Sequence, residues 1–307
     1  MPIVTTIVPI FIIVLLGWGV HRRGFLPAGF IEPANRLVYY VAIPAMIFQS
    51  IAKSALKEWF HPLVIALPLI ALAGAYAIAW TAVRVVHQDR SLSGTFIQSS
   101  GHGNLGYIGL AVAYYFLGES GLAQASLIAG FMIIEQNVLS VMTLQYFAPH
   151  TDKTTGVRVY VMSIITNPVI ISVIAGLLVS LGGVTIPLIL KRSLSIISGL
   201  ALPTALLIIG ASLSLERIRQ FTITAASAAA IKLLVMPALG WGLYRLFQVV
   251  PADMIPGLIL LASPTATVSY VMAKEMQGST DLAAATISAS TLLSAGTLML
   301  WLKLVTG

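Results

Sequence analysis

The sequence contains no cysteine and few charged residues. Cysteine is absent from all 307 residues, which excludes disulfides, thiolate metal sites and a cysteine nucleophile. Charged residues make up 9% of the chain, whereas a soluble domain carries roughly 25%. A soluble two-domain protein, which the length alone would allow, is therefore excluded.

The sequence also lacks the motifs of enzymes that work inside membranes. The "GAS" at 210–212 is not followed by the glycine of a serine-protease motif. Paired acids for magnesium and a phosphate-cradling nucleotide loop are missing. The aspartates lie in loops or at the ends of predicted spans: Asp89, Asp152, Asp253 and Asp281. We therefore predict no enzyme activity, no catalytic residue and no cofactor.

Apolar residues dominate what is present. They make up 58% of the chain, and the mean hydropathy is +0.96. The first apolar run has no basic region before it and no small-residue cleavage site, so it is read as a span and not as a signal peptide. The net charge of +7 reflects membrane topology, and we predict lipid and no nucleic acid as a partner.

Ten apolar runs are long enough to cross a bilayer. The longest polar segment, residues 148–158, separates them into two groups of five, in halves 1–150 and 151–307. The predicted spans cover residues 3–20, 34–52, 62–86, 93–117, 122–147, 159–181, 191–213, 221–249, 255–276 and 281–304. The sequence therefore predicts an all-α integral membrane protein with ten transmembrane helices.

The two halves repeat one another weakly. The aligned pairs are Pro27 with Pro187 and Gly118 with Gly278 at a shift of 160, and Pro44 with Pro203 and Gly17 with Gly176 at a shift of 159. Because each half has an odd number of spans, the second half must enter from the opposite face. We therefore predict two inverted five-helix repeats.

The loops differ in their number of basic residues. Ten Lys and Arg residues fall on one face, six fall on the other, and one lies inside a span. Cytoplasmic loops carry the excess of positive charge. We therefore predict a multi-pass protein of the plasma (inner) membrane with both termini outside the cytoplasm.

The fourth and ninth spans each contain residues that interrupt a helix. "GHGNLG" at 101–106 has three glycines, and "SPT" at 263–265 has Pro264. The 160-residue shift aligns Asn104 with Pro264, so the breaks occupy matching positions. Glycine loosens a helix and proline removes a donor, and exposed backbone is tolerated in a membrane only inside protein or a cavity. Paired breaks indicate a transporter binding site, and the alternative is close packing or a kink.

A broken helix offers N–H groups and a partial positive charge where its second half begins. Two such beginnings at mid-membrane would hold an anion such as a carboxylate. The predicted substrate-binding residues are Asn104, Leu105, Gly106 and Tyr107 at the first break and Pro264, Thr265, Ala266 and Thr267 at the second. His102 is read either as a gating or cavity residue or as a hydrogen-bonded packing residue.

Two ionisable side chains of opposite sign, Glu135 and Lys232, lie deep inside predicted spans. A charge at such depth costs about 2.5–3.5 kcal/mol on insertion scales and is a functional hypothesis. We predict that they couple transport to H⁺ or Na⁺, with sodium near Glu135 and Gln136 and with Asn137 as a further oxygen ligand. The alternatives are a structural salt bridge and a lysine that extends to the interface. Four polar residues of the tenth span are expected to serve packing: Ser288, Ser290, Thr291 and Ser294.

Four segments carry a family resemblance. They are "NRLVYYVAIPAMIFQSIA" at 35–52, "GNLGYIGLAVAYYFLG" at 103–118, "LPTALLIIGASLSL" at 202–215 and "SPTATVSYVMAKEMQGSTDLAAATISASTLLS" at 263–294. In these segments, and over essentially the whole chain, the sequence resembles the auxin efflux carrier family. That family includes plant auxin exporters and bacterial malate or malonate permeases, and the bile-acid symporters are related to it.

The resemblance implies inverted five-helix repeats whose two broken helices cross, as in sodium/proton antiporters. Spans 1, 2, 6 and 7 would form a scaffold, and spans 3–5 and 8–10 a transport domain that moves against it like an elevator. In the antiporters an acidic residue on the fifth span and a neighbouring lysine take part in ion coupling, and Glu135 and Lys232 are similar in placement. Family members often form dimers, so a homodimer through scaffold helices is expected.

The sequence departs from the plant carriers in two ways. Asn104 stands where the plant carriers have a proline, and a linker of about a dozen residues replaces their long cytoplasmic loop. We therefore expect a prokaryotic secondary active transporter of small organic anions, mono- or dicarboxylates, and not of auxin. The alternatives are a sodium cotransporter of amphipathic anions like the bile-acid symporters, and a ligand sensor that does not transport.

Overall fold

The computed structural model describes residues 3–53, 61–86, 89–148 and 165–306, and within these residues the chain is helical, with no β-strand. The helices of the first half are α1 (Ile3–Arg22), α2 (Ala28–Leu37), α3 (Ile43–Lys53), α4 (Pro62–Val86), α5 (Arg90–Gly101) and α6 (Leu110–Phe147). Two π-helical segments, Val38–Ala42 and Leu105–Gly109, lie between α2 and α3 and before α6.

The described part of the second half contains nine α-helices. They are α7 (Pro168–Leu181), α8 (Leu188–Ser198), α9 (Ala201–Ala211), α10 (Leu215–Gln220), α11 (Thr222–Ala230), α12 (Met236–Leu246), α13 (Pro251–Leu261), α14 (Val268–Glu275) and α15 (Thr280–Thr306). A third π-helical segment, Ile231–Val235, joins α11 to α12. Asn167 caps α7 by accepting hydrogen bonds from Val169 N (2.9 Å) and Ile170 N (3.3 Å), as expected of an N-cap residue.

Six helical stretches among the described residues are long and apolar enough to cross a membrane. They are Ile3–Arg22, Pro62–Val85, Leu105–Phe147, Leu188–Ala211, Thr222–Leu246 and Thr280–Thr306. Large apolar side chains remain exposed on them and around them, such as Ile189 (79%) and Ile223 (82%). An apolar surface of this extent is typical of a lipid-facing surface. The chain is therefore a multi-pass membrane protein.

The ten predicted spans and these six stretches differ for local reasons. Residues 34–52 fall in three shorter pieces, and 255–276 is divided between α13 and α14. The span predicted at 159–181 is described only from residue 165 onwards. The stretch Leu105–Phe147 joins most of the predicted fourth and fifth spans. The count of ten and the inverted repeat stay predictions.

A glycine separates the two parts of α6. Gly118 has φ 75° and ψ −162°, a conformation that glycine adopts readily and L-residues do not. The helix therefore changes direction at Gly118. The residue lies in the interval between the spans predicted at 93–117 and 122–147.

Two compact units can be distinguished in the chain, and each is described separately. The first contains α1, α2, α3, the part of α6 that ends at Gly130, α7, α8 and α9. In it α1 packs along α9 and α3 packs along α7. A Cβ atom on Gly17 would overlap the backbone of Leu207, so the absence of a side chain permits the close approach of α1 and α9. Gly176 has the same role in α7, where it meets Ile51.

The second unit contains α4, α5, the part of α6 that begins at Phe131, and α10 to α15. Helix α15 packs on α5, α10, α11, α13 and α14, and α4 packs on α5 and α12. The long helix α15 buries several hydroxyl groups together with its apolar residues. This unit therefore has a polar interior, which contains both predicted helix breaks.

The contact between α1 and α9 gives a stability prediction. Gly17→Ala should lower the thermal unfolding midpoint of the purified protein, because overpacking a close contact typically costs about 1–3 kcal/mol. Gly19→Ala is the matched control, since a Cβ on Gly19 meets nothing within 4 Å. Equal midpoints for the two variants would contradict the packing role of Gly17.

Candidate functional site

Both predicted breaks are present in the structure. Helix α5 ends at Gly101 and helical backbone resumes at Leu105, while α13 ends at Leu261 and α14 begins at Val268. The two non-helical segments, 102–104 and 262–267, lie side by side in the second unit, and we call them together the crossover. They bring predicted binding residues from distant parts of the sequence into contact.

The backbones of the two segments pair like short antiparallel strands. Gly103 and Thr265 form an isolated antiparallel bridge. Beside it the N–H of Asn104 donates to the carbonyl of Pro264 at 2.7 Å. Asn104 and Pro264 are the two residues that the 160-residue shift aligns. The pairing satisfies backbone groups that a broken helix leaves without helical partners.

His102 belongs to a buried hydrogen-bond network. Its carbonyl accepts from the N–H of Ala266 at 2.9 Å. Its Nδ1 lies 2.8 Å from Ser140 Oγ, which in turn lies 2.7 Å from the hydroxyl of Tyr76. With an exposure of 2%, His102 is the hydrogen-bonded packing residue of the two alternatives raised from the sequence.

Gln136 bonds the first break through both ends of its side-chain amide. Its Oε1 accepts from Gly103 N at 3.0 Å, and its Nε2 donates to Gly103 O at 3.2 Å. The side-chain amide thus bonds the N–H and the carbonyl of Gly103 in the way that the backbone of an adjacent strand would. Gln136 was predicted as a sodium ligand, but in this conformation its oxygen already accepts a hydrogen bond from the crossover.

Thr265 joins the second break to two other helices. Its N–H donates to Ser290 Oγ of α15 at 3.1 Å, and its Oγ1 donates to the carbonyl of Ser99 at 2.8 Å. The latter bond caps the C-terminal turn of α5. Ser290, expected to serve packing, therefore supports the backbone of the crossover.

The other hydroxyls of the predicted tenth span differ in their bonding. Ser288 Oγ accepts from Ser214 N at 2.9 Å, and Ser294 Oγ donates to the carbonyl of Thr291 at 2.7 Å. Thr291 Oγ1 has no hydrogen-bond partner in the described part of the chain. Two of these hydroxyls therefore bond backbone groups, as packing residues do.

Lys232 is fully buried in the π-helical segment Ile231–Val235. Its Nζ donates to the carbonyl of Leu261 at 2.7 Å and lies 3.5 Å from Met236 Sδ. Leu261 ends α13, so the lysine meets the partial negative charge of a helix C-terminus. A Cβ on Gly103 would lie only 3.1 Å from Lys232 Cε, which places the lysine stem against the first break.

Glu135 is half-buried in α6. Its Oε2 is buried without a hydrogen-bond partner among the described residues. Glu135 and Lys232 form no ion pair with each other or with another charged residue that the structure describes. The alternative of a structural salt bridge between them is therefore wrong for this conformation. Neighbouring Asn137 is also half-buried.

The predicted binding residues are divided between the two units. Asn104, Leu105 and the segment from Pro264 to Thr267 belong to the second unit, whereas Gly106 and Tyr107 belong to the first. The hydroxyl of Tyr107 donates to Asn35 Oδ1 at 2.6 Å. Tyr107 therefore has a partner within its own unit.

The sequence did not reveal several residues that hold the site together. Ser140 lies one helical turn after Gln136. This spacing places the two side chains on the same face of the helix, and it was the only sequence signal that pointed to Ser140. Trp301 Nε1 donates to the carbonyl of Leu233 at 2.9 Å. A π-helical turn frees backbone groups from regular helical bonding, and Trp301 bonds such a carbonyl beside Lys232. No sequence pattern indicated that contact.

Comparisons with known proteins give a consistent result. The model of a family described as "Membrane transport protein" matches residues 2–302. A Rhizobium meliloti protein named "Putative malonate transporter" is 25% identical over 297 residues, which cover 95% of this chain and 92% of that protein. An "Uncharacterized transporter" of Methanothermobacter thermautotrophicus is 25% identical over 301 residues, 96% of each chain.

The bonds between Gln136 and Gly103 give a second stability prediction. Gln136→Leu leaves the buried N–H of Gly103 without a partner, which costs about 1–3 kcal/mol, while the carbonyl of Gly103 keeps only its bond from Leu105 N. We expect a lower thermal unfolding midpoint than for Asn137→Leu, the neighbouring control. A Gln136→Leu midpoint equal to that of the wild type would show that Gln136 does not hold the crossover.

Proposed function

Since the chain belongs to the membrane transport protein family, that of the auxin efflux carriers, we propose that it is a secondary active transporter of small organic anions. The substrates are mono- or dicarboxylates, and transport is coupled to H⁺ or Na⁺ or driven by the membrane potential. Malonate, which appears in the name of the relative from Rhizobium meliloti, is the first substrate to test.

The observation that carries the proposal is the fully buried amine of Lys232 beside the crossover. Its described hydrogen-bond acceptors are a carbonyl oxygen and a thioether sulfur, both without formal charge. A buried charge without a charged partner is costly, and a carboxylate substrate supplies the missing negative charge. The helical backbone that resumes after each break adds the positive end of a dipole.

The proposed substrate residues are the predicted ones around the crossover. Asn104 and Thr267 offer side-chain donors, while Pro264, Thr265 and Ala266 shape the second break. The backbone pairing of Asn104 with Pro264 fixes the spacing of the two segments without the use of either residue's side chain. Leu105, Gly106 and Tyr107 follow directly where helical backbone resumes. A site of this kind favours small anions by charge.

The proposed mechanism is elevator-like alternating access. Its support is the grouping of the helices, because α1, α2, α3, α7, α8 and α9 belong to one compact unit and the crossover belongs to the other. The bonds of the crossover close within its own unit, so the unit can move without breaking them. We further propose that the protein lies in the plasma membrane with both termini outside the cytoplasm, as a homodimer through helices of the first unit.

Ion coupling is assigned to Glu135 and Lys232. The buried Oε2 of Glu135 lacks a hydrogen-bond partner among the described residues, so a proton or a sodium ion would satisfy it. The two groups are not paired in this conformation and can therefore change their charge or occupancy separately. Asn137 and Gln136 remain the proposed additional oxygen ligands on the same helix.

Transport by Lys232→Met tests the anion site. In proteoliposomes preloaded with malonate, the wild type should exchange labelled malonate. The variant should exchange it about tenfold more slowly, which corresponds to about 1.4 kcal/mol. The variant should still fold, because apolar residues often replace buried charges without loss of stability. Lys274→Met, at an exposed position on α14, is the control.

Three outcomes would contradict the proposed function or a part of it. Malonate exchange by Lys232→Met at the wild-type rate would remove the lysine from the site. Binding of carboxylates by the wild type, detected as thermal stabilisation but without exchange, would identify a sensor. If bile acids and not small carboxylates drive exchange, the substrate class is wrong.

Glu135→Gln tests the coupling. The variant should fold normally and should lose the dependence of malonate uptake on pH or sodium, because the amide cannot gain or lose the relevant charge. Glu119→Gln is the matched control on the same helix, since Glu119 is exposed and pairs with Lys53 at 3.7 Å. Full coupling in Glu135→Gln would exclude the carboxylate from this role.

A further inference from the structure

Besides Glu135 Oε2 and Thr291 Oγ1, four buried side-chain oxygens in the second unit make no hydrogen bond within the described part of the chain. All four residues are fully buried, and none was among the predicted site residues. The four atoms are Gln98 Oε1, Ser99 Oγ, Ser269 Oγ and Thr286 Oγ1. A buried polar atom without a partner costs about 1–3 kcal/mol. Several of them on neighbouring helices therefore indicate that a ligand satisfies them.

Two of the oxygens belong to α14 and α15, which pack against each other. The bond from Thr265 N to Ser290 Oγ fixes one end of this antiparallel pair, and a short turn joins the helices at the other end. This turn covers residues 276–279, with α14 ending at Glu275 and α15 beginning at Thr280. Ser269 lies six residues before the end of α14, and Thr286 lies six residues after the start of α15. Six residues advance a helix by about 9 Å, so Ser269 and Thr286 stand at about the same level.

Helix α5 brings the other two oxygens to this level. The carbonyl of Ser99 accepts from Thr265 Oγ1 at 2.8 Å. Gln98 Nε2 lies 3.7 Å from the sulfur of Met272, which is one turn after Ser269. One of these contacts is made by a residue before Ser269 in the sequence, and the other by a residue after it. The buried face of α14, formed by Ser269 and Ala273, packs on α15 and α5.

We propose that these four oxygens bind a sodium ion. Alkali and other hard cations are bound by carbonyl, hydroxyl and carboxylate oxygens. The amide nitrogen of Gln98 already contacts Met272, which leaves the carbonyl oxygen as the donor to a cation. Gln98 and Ser99 lie in the last turn of α5, whose C-terminus carries partial negative charge. This ligand set favours a cation over an anion.

The site is distinct from the predicted one near Glu135 and Gln136. It connects α5, which leads into the first break, with α14, which follows the second. A bound ion would therefore hold both sides of the crossover together. Binding of sodium at this site does not depend on the proposed function, because it can be measured without a substrate. A role for this ion in driving transport does rest on the proposed function.

Sodium binding is tested on the purified full-length protein in detergent. Thermal unfolding is followed in NaCl, KCl and choline chloride at equal ionic strength, together with equilibrium binding of ²²Na⁺. Sodium should raise the midpoint in a saturable way, as expected for a ligand of the native state, and choline should not. Ser269→Ala and Thr286→Val should abolish both the shift and ²²Na⁺ binding.

Thr291→Val is the matched control. It removes another fully buried hydroxyl of α15 that has no partner in the described chain, but one that lies on a different face of the helix. This variant should keep the sodium-dependent shift. Loss of the hydroxyls should not prevent folding, because each variant removes a buried polar group that makes no hydrogen bond in the described chain.

Three results would overturn the site. They are a wild-type midpoint that is the same in sodium and choline, a shift that persists in both Ser269→Ala and Thr286→Val, and a shift that Thr291→Val abolishes equally. Malonate exchange without ²²Na⁺ binding would reject the sodium site and keep the proposed function. Specific sodium binding without exchange of any carboxylate would keep the sodium site and reject the proposed function.

Discussion

The structure of the second unit depends on one constraint: buried backbone groups need hydrogen-bond partners when a helix is interrupted in an apolar environment. The crossover meets this constraint with bonds between its two segments and with side chains from other helices. Asn104 pairs with Pro264, Gln136 bonds Gly103, and Ser290 bonds Thr265. Each partner is buried, so the break is held rigidly and its cost is offset locally.

The buried lysine is the second consequence of the same arrangement. Because α13 stops at Leu261, its last carbonyls lack helical partners, and Lys232 occupies that position. The lysine is carried on a π-helical turn, and Trp301 bonds a carbonyl of the same turn. Such turns occur often at functional sites. The broken helix thus provides the acceptor for the buried lysine.

The two units use different means to bring helices together. In the first unit glycines such as Gly17 and Gly176 allow helix backbones to approach closely, and the contacts are largely apolar. In the second unit hydroxyls and amides fill the space between helices. The unsatisfied oxygens of Gln98, Ser269 and Thr286 belong to this second type of interior.

The sequence by itself determined the properties that depend on neighbouring residues. Long apolar runs specify membrane helices because each peptide group must bond within its own helix, and the positions of both breaks followed from glycines near His102 and from Pro264. Only the tertiary structure decided which groups meet. Gln136 bonds a glycine 33 positions away. Glu135 and Lys232, for which a salt bridge was one of the alternatives, do not form an ion pair. Contacts of this kind depend on the rotation and depth of whole helices, which local patterns do not specify.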